Sequence, residues 1–132
     1  MSAKPNASPA WFKKADGDLF AASAIEDNSD PDSPHWDMVS FHAHQAIEKY
    51  LKGCLAANLV SIPRTHDLPS LLRLCSPFAA ELLAMERDCD LVNQLYLSSR
   101  YPGMRDVTQV EAGRALQVAV AIKEAVLRGL QS

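Results

Sequence analysis

The sequence lacks the features that most often fix a function or a compartment. Its three cysteines, Cys54, Cys75 and Cys89, lie 21 and 14 residues apart, which fits neither a CxxC redox pair nor a zinc knuckle. Each occupies an apolar position of a helical pattern, so we expect buried, reduced thiols. No apolar run approaches the roughly 18 to 20 residues that span a bilayer, and Met1 to Ser8 has no signal-peptide core. We therefore expect a soluble, cytoplasmic protein.

An excess of charge of one sign is also missing. The 13 Lys and Arg residues stand against 16 Asp and Glu residues, so no overall basic field exists to hold nucleic acid. RNA binding would depend on a few local cations, and its support is weak. With 132 residues, 48% apolar and 22% charged, the chain fits one ordinary globular domain. We predict a flexible N-terminus over residues 1–8 and a single domain over residues 9–131.

Signatures of catalysis are absent as well. The chain contains no G-x-S-x-G turn, P-loop, glycine-rich dinucleotide turn or HExxH pair. His42 and His44 form an HxH pair, but residues two apart on a helix point about 200° apart and cannot converge on one ion. The sequence predicts no metal and no cofactor.

Helical periodicity is what the sequence does contain. Apolar residues recur every three or four positions, and no stretch alternates with period two. The fold class is therefore all-α, an up-and-down antiparallel bundle of four long helices plus one short helix. The predicted helices run approximately over Pro9–Asn28, Pro34–Asn58, Leu68–Cys75, Phe78–Arg100 and Thr108–Leu130.

Several local signals mark where these helices begin. Ser8 and Ser33, each followed by proline, are candidate N-caps, and Thr108 with Glu111 fits a capping box. The short third helix has Thr65 or Asp67 as its cap.

Two helices carry more apolar surface than a single partner helix would cover. The second segment has two adjacent apolar rows, which predicts a central helix, and the fourth has an unbroken a/d repeat. Together they suggest more apolar face than five short helices can cover among themselves. On this ground we predict a homodimer.

Polar residues with a candidate function lie on the second helix and just before the third. His44, Glu48 and Lys52 are spaced four apart and share one face. Glu48 and Lys52 have the favoured order for a simple helical ion pair, but the three together also suit a ligand or partner. His66, near the start of the third helix, is either a locally bonded residue or part of such a site.

The loop after the fourth helix holds a second candidate. Pro102 and Gly103 suffice to turn the chain, so Arg100 and Tyr101 add a planar cation and a stackable ring that could hold a phosphate or nucleotide. In the structural alternative, Arg100 caps the last helical carbonyls and Tyr101 packs under the loop.

Three stretches together resemble the HEPN (higher eukaryotes and prokaryotes nucleotide-binding) domain family. They are Phe41–Lys52, Thr65–Leu68 and Ser99–Pro102, and the resemblance extends from about Trp11 to Leu130. It implies a helical bundle, commonly a homodimer, often encoded beside a small nucleotidyltransferase partner. Some such pairs are similar to toxin–antitoxin modules.

The resemblance stops short of the family's ribonucleases, which carry an Arg followed four to six residues later by a His. Here the last histidine is His66, and only Arg64 precedes it, two residues away. The sequence therefore favours a binding module for a nucleotide or a nucleotidyltransferase over an enzyme. The alternative is a metal-independent ribonuclease with His66 or His44 as a relocated base. The predicted ligand-binding residues are His44, Glu48, Lys52, His66, Arg100 and Tyr101.

Overall fold

The computed structural model describes residues 6–131, which form five α-helices and no β-strand. Helix α4 is preceded by two short 3₁₀ segments, over Ser76–Phe78 and Ala80–Met85. Four long helices and one short one confirm the predicted all-α class. The helices are α1 (Ser8–Asp27), α2 (Trp36–Ala57), α3 (Leu68–Cys75), α4 (Glu86–Arg100) and α5 (Gln109–Gln131).

Helix α2 is the central helix, as predicted. It packs against all four other helices, which cover both of its apolar rows. Gly53 allows α1 to approach closely, because a Cβ at this position would lie only 2.5 Å from the Phe12 ring. The buried residues of the two rows are Val39, Ala43, Ala46, Ile47, Tyr50, Leu51, Cys54 and Leu55.

This burial removes the reason from which the homodimer was predicted. The rows of α2 are covered within one chain, and Leu82, Cys89 and Val92 of the fourth segment are also fully buried. Any apolar surface left for a partner therefore consists of side chains outside these buried rows. The three cysteines are buried free thiols, as expected.

Two predicted helix starts are wrong. Helix α2 begins at Trp36, because Ser33 donates its N–H to the Asp30 carbonyl oxygen at 3.0 Å and belongs to a turn. Helix α4 begins at Glu86, because Ala79 (φ −153°, ψ 85°) leaves the helical conformation and Ala80–Met85 then forms a 3₁₀ segment.

Other predicted caps can be compared directly. Ser8 is the first residue of α1 rather than its cap, so the helix starts inside the predicted flexible segment, of which residues 1–5 lie outside the described residues. The capping box is present: Thr108 donates its N–H to Glu111 Oε1 at 3.0 Å, and Glu111 donates its N–H to Thr108 Oγ1 at 3.2 Å. Asp67 caps α3 by accepting the Ser70 N–H at 3.1 Å.

None of the helices in residues 6–131 is both long and apolar enough to cross a membrane.

Candidate ligand-binding site

A pocket of about 590 Å³ opens at one end of the bundle, where α2 begins and α4 ends. Trp36 and Asp37 enter it from the first turn of α2, and Arg100 from the last turn of α4. The rest of the wall is formed by the loop of residues 101–107 together with Ser33, Pro34, Ser98 and Ser99. Gly103 has φ +89°, a left-handed conformation that favours glycine, and this lets the loop turn over the pocket. We call this feature the end pocket.

Arg100 lies at the edge of the end pocket, and Tyr96 holds its guanidinium in place. Its Nη1 donates to the Tyr96 hydroxyl at 2.8 Å, and its Cζ lies 5.2 Å from the centre of the Tyr96 ring. Its hydrogen bond thus goes to Tyr96 rather than to the last carbonyls of α4. Tyr101 is 59% exposed at the rim instead of packed under the loop. Both residues line the space that a ligand would occupy.

The guanidinium of Arg100 forms no ion pair with any carboxylate in the described part of the chain. Arg105, also in the pocket wall, is neutralised by two hydrogen bonds to Glu111, at 2.8 and 2.6 Å. The same contacts lower the pKa of Glu111 to about 2. Arg100 is therefore the cation of the end pocket that remains available for an anionic group.

Tyr96, which holds Arg100, is itself packed among aromatic rings. It stacks on the His44 ring, with ring centres 3.8 Å apart and planes inclined by 12°. Phe41 flanks the same tyrosine at 5.9 Å. His44 is fully buried, and this burial lowers its pKa from 6.5 to about 4, so it is neutral at pH 7.

Asn93 decides which tautomer of His44 is present. Its Oδ1 accepts the Leu68 N–H at 3.2 Å, and its Nδ2 donates to Asp67 Oδ1 at 3.2 Å. The 3.3 Å contact between His44 Nε2 and Asn93 Oδ1 therefore requires Nε2 to carry the proton. His44 Nδ1 is then an unprotonated, buried acceptor with no hydrogen-bond partner in residues 6–131.

A separate polar cluster surrounds Glu48, and we call it the Glu48 cluster. Glu48 is buried, and its Oε2 accepts from Lys52 Nζ at 3.1 Å, the helical ion pair that the spacing predicted. Its Oε1 lies 2.8 Å from His66 Nδ1, whose ring is 64% exposed. Lys52 Nζ also lies 5.9 Å from the Trp11 ring.

The six predicted site residues therefore lie in two separate places. Arg100 and Tyr101 line the end pocket, and neither His66 nor any other member of the Glu48 cluster does. Glu48 is eleven residues beyond Asp37 on α2, about 16 Å along the helix axis. His44 lies between the two places, buried, and reaches Arg100 only through Tyr96.

The sequence reasoning missed the pocket residues Asp37 and Asp106, and it also missed Tyr96 and Asn93, which hold Arg100 and His44. Tyr96 stands four residues before Arg100, the spacing at which side chains on a helix meet, so this contact had a signal. Asn93 had none, because its bonds to His44 and Leu68 join residues 49 and 25 positions away.

No group of three or more His, Cys, Asp or Glu side chains is placed to hold a metal ion in the part of the chain that the structure describes. The HxH pair diverges as the helical geometry requires. His42 Nδ1 lies 2.9 Å from Asp18 Oδ1 on α1, while His44 faces Asn93 on α4.

Comparison with solved structures first defines the class of fold. The chain is similar to the protein TT1696 from Thermus thermophilus, known from a crystal structure, with a TM-score of 0.81. The two share 23% sequence identity, and the match covers 95% of this chain and 99% of the other. This likeness places the protein in the class of small helical bundles with that fold.

The family follows from the sequence itself. The family model of the HEPN domain matches residues 8–130, nearly the whole chain, so the protein belongs to the HEPN domain family. The resemblance drawn from Phe41–Lys52, Thr65–Leu68 and Ser99–Pro102 is thereby confirmed. None of the curated proteins matches the chain.

Proposed function

We propose that this HEPN protein is a binding module that holds a nucleotide in the end pocket. The observation that carries the proposal is the state of Arg100, an unpaired guanidinium already fixed by Tyr96 at the pocket edge. A planar cation with several free donors is suited to phosphate oxygens, and fixing it beforehand reduces the entropy lost on binding. Tyr101 provides an exposed ring on which a base can stack.

The remaining wall suits the uncharged parts of a nucleotide. Asp37 and Asp106 line the pocket and repel phosphate, but their carboxylates can accept from ribose hydroxyls or from an exocyclic amine. Ser98 and Ser99 add hydroxyl groups beside Arg100. A nucleotide offers both an anionic end and neutral donors, whereas inorganic phosphate alone would leave these carboxylates without a partner.

The alternative, a metal-independent ribonuclease with a relocated histidine, has weaker support. Such chemistry needs a histidine next to the cation that holds the phosphate. No histidine lines the end pocket among residues 6–131, and the exposed His66 belongs to the Glu48 cluster. Cleavage of single-stranded RNA in EDTA that disappears in His66→Ala would favour the ribonuclease over the binding module.

We further propose that the protein acts as a homodimer beside a small nucleotidyltransferase, as a toxin–antitoxin-like pair. Support for a protein partner comes from exposed apolar side chains near the end pocket: Met38, Leu97 and Met104. Co-purification of the tagged protein with the product of the neighbouring gene is the test. Loss of that product in Leu97→Ser would locate the contact, and failure of the two to co-purify would count against the pair.

Thermal denaturation with added nucleotides tests the main proposal. ATP, ADP, AMP and GTP are each added at millimolar excess, and at least one should raise the melting temperature, since a ligand at 100 times its Kd stabilises by about 2.7 kcal/mol. Arg100→Ala and Tyr101→Ala should lose the shift. Arg87→Ala, which changes an arginine on the same helix but outside the pocket, is the matched control. No shift with any nucleotide would overturn the proposal.

A further inference from the structure

Helix α1 carries a large apolar side chain on the face that it turns away from the bundle. Phe20 is 75% exposed, although α1 packs on α2 and α5. On the neighbouring helix α5, which the Asp16–Lys123 ion pair at 2.9 Å joins to α1, Val120 is exposed as well. Aromatic side chains are enriched in the buried cores of protein–protein interfaces.

Gly17 lies one turn before Phe20 on the same exposed face. A Cβ added there would meet nothing within 4 Å, so the fold of the single chain does not require a glycine. Glycine in the middle of a helix is less favourable than alanine. A glycine on the exposed face of α1 allows another chain to pack closely against this helix.

Charged residues stand symmetrically about Phe20. Lys13 lies seven residues before it and Asp27 seven residues after it, so the three form one line along the exposed face of α1. The line extends over 14 steps along the chain, about 21 Å of helix. Neither Lys13 nor Asp27 forms an ion pair with another of residues 6–131.

We propose that a second copy of the chain docks on this face, with the two α1 helices antiparallel and a two-fold axis at Phe20. Phe20 then packs against the partner's Phe20 and over the partner's Gly17. Lys13 faces the partner's Asp27, and the symmetry repeats this pair on the other side. A two-fold interface has to be self-complementary in this way, and an unrelated partner would have no reason to match the spacing. The inference rests on the homodimer proposed above and gives it a location.

Truncation of the ring is the first test, read by analytical ultracentrifugation of the full chain. The wild-type protein should sediment as twice its 14.5 kDa mass at micromolar concentration. Phe20→Ala should raise the dimer dissociation constant by about 100-fold or more, because two buried rings are lost from each dimer. Leu74→Ala is the control, since Leu74 is an exposed leucine on α3, which packs on α2 and α4.

Charge reversal tests the symmetry itself. Lys13→Asp and Asp27→Lys should each weaken the dimer, since each places like charges together twice. An equimolar mixture of the two variants should restore it as a heterodimer, in which both pairs are again of opposite sign. Lys14→Asp, about 100° off the line, should change little.

The outcomes separate this proposal from those above. A wild-type protein that remains a 14.5 kDa species at all concentrations would overturn both the homodimer and the surface. A dimer that persists in Phe20→Ala and in both reversals, or reversals that fail to rescue each other, would overturn the surface alone. Nucleotide titration of Phe20→Ala tests the end pocket separately, because Phe20 does not line that pocket.

Discussion

The end pocket and the Glu48 cluster draw on the same helix, yet they handle charge in opposite ways. In the Glu48 cluster the buried carboxylate contacts both Lys52 and His66, so the cluster is satisfied within the fold. In the end pocket the guanidinium of Arg100 rests on an aromatic ring and has no carboxylate partner among the described residues. Removing one partner of the buried pair would destabilise the fold, whereas the exposed and unpaired guanidinium of Arg100 is suited to binding.

The largest expected effect concerns the Glu48 cluster. Glu48→Ala leaves the ammonium of Lys52 buried without its carboxylate, which should cost about 3–5 kcal/mol of unfolding free energy. Urea denaturation measures this loss. Glu86→Ala breaks the exposed pair with Arg73 and should cost less than about 1 kcal/mol. If Glu48→Ala costs no more than Glu86→Ala, the Glu48 cluster does not stabilise the fold.

Arg100→Ala should weaken nucleotide binding and leave the free energy of unfolding nearly unchanged. Nucleotide affinity should fall by about 1.5–3 kcal/mol, the range for a hydrogen bond to a charged group, while stability changes little. Arg100→Lys should recover only part of the affinity, because lysine lacks the planar fork that stacks on Tyr96. Calorimetric titration and urea denaturation of the same samples separate the two quantities. An Arg100→Ala protein that binds the nucleotide normally but unfolds easily would mean that Arg100 stabilises the fold and does not bind the ligand.

The third prediction concerns pH and the neutral His44. Its pKa is lowered to about 4 in the folded protein, so between about pH 4 and 6.5 the unfolded chain binds more protons than the folded one. The stabilisation is complete above about pH 6.5 and is lost as the pH falls, by about 2 kcal/mol between pH 7 and pH 5. Urea midpoints of wild type and His44→Gln at both pH values measure it. If the stability of the two proteins depends on pH in the same way, the pKa of His44 is not lowered in the folded protein.

The smallest effect should come from Tyr96→Phe. This change keeps the ring beneath Arg100 but removes the hydroxyl that accepts its 2.8 Å hydrogen bond. Nucleotide affinity should fall by about 1 kcal/mol, roughly fivefold, with stability nearly unchanged. Tyr101→Phe is the matched control, since its ring can still stack. Equal affinity in Tyr96→Phe and wild type would mean that the hydroxyl does not position Arg100.

Local signals explain which parts of the fold could be predicted. The Thr108–Glu111 capping box and the Asp67 cap involve residues three apart, so both could be identified from spacing. The same reasoning failed at Ser33–Pro34, where a competing local bond to Asp30 holds the chain in a turn. It failed again before Glu86, because 3₁₀ and α-helical segments repeat at similar spacings and only Ala79 interrupts them.

The candidate site was harder to predict from the sequence, because its geometry depends on contacts between distant segments. The residues His44, Glu48, Lys52, His66, Arg100 and Tyr101 were chosen by type and position, and the ion pair within α2 followed from spacing alone. The sequence already offered two candidates, but the distance between them and the position of His44 had no signal. That position depends on Tyr96 packing against His44, 52 positions away in the sequence, and on Asn93 fixing the other side of that ring.

Isothermal titration calorimetry shows whether a nucleotide binds in the end pocket or at the Glu48 cluster. It is applied to wild type, Arg100→Ala and Glu48→Gln, with the nucleotide that gives the largest thermal shift. We expect saturable binding to wild type, at least about tenfold weaker binding to Arg100→Ala, and wild-type affinity for folded Glu48→Gln. Equal affinity in wild type and Arg100→Ala, or a greater loss in Glu48→Gln than in Arg100→Ala, would contradict binding in the end pocket.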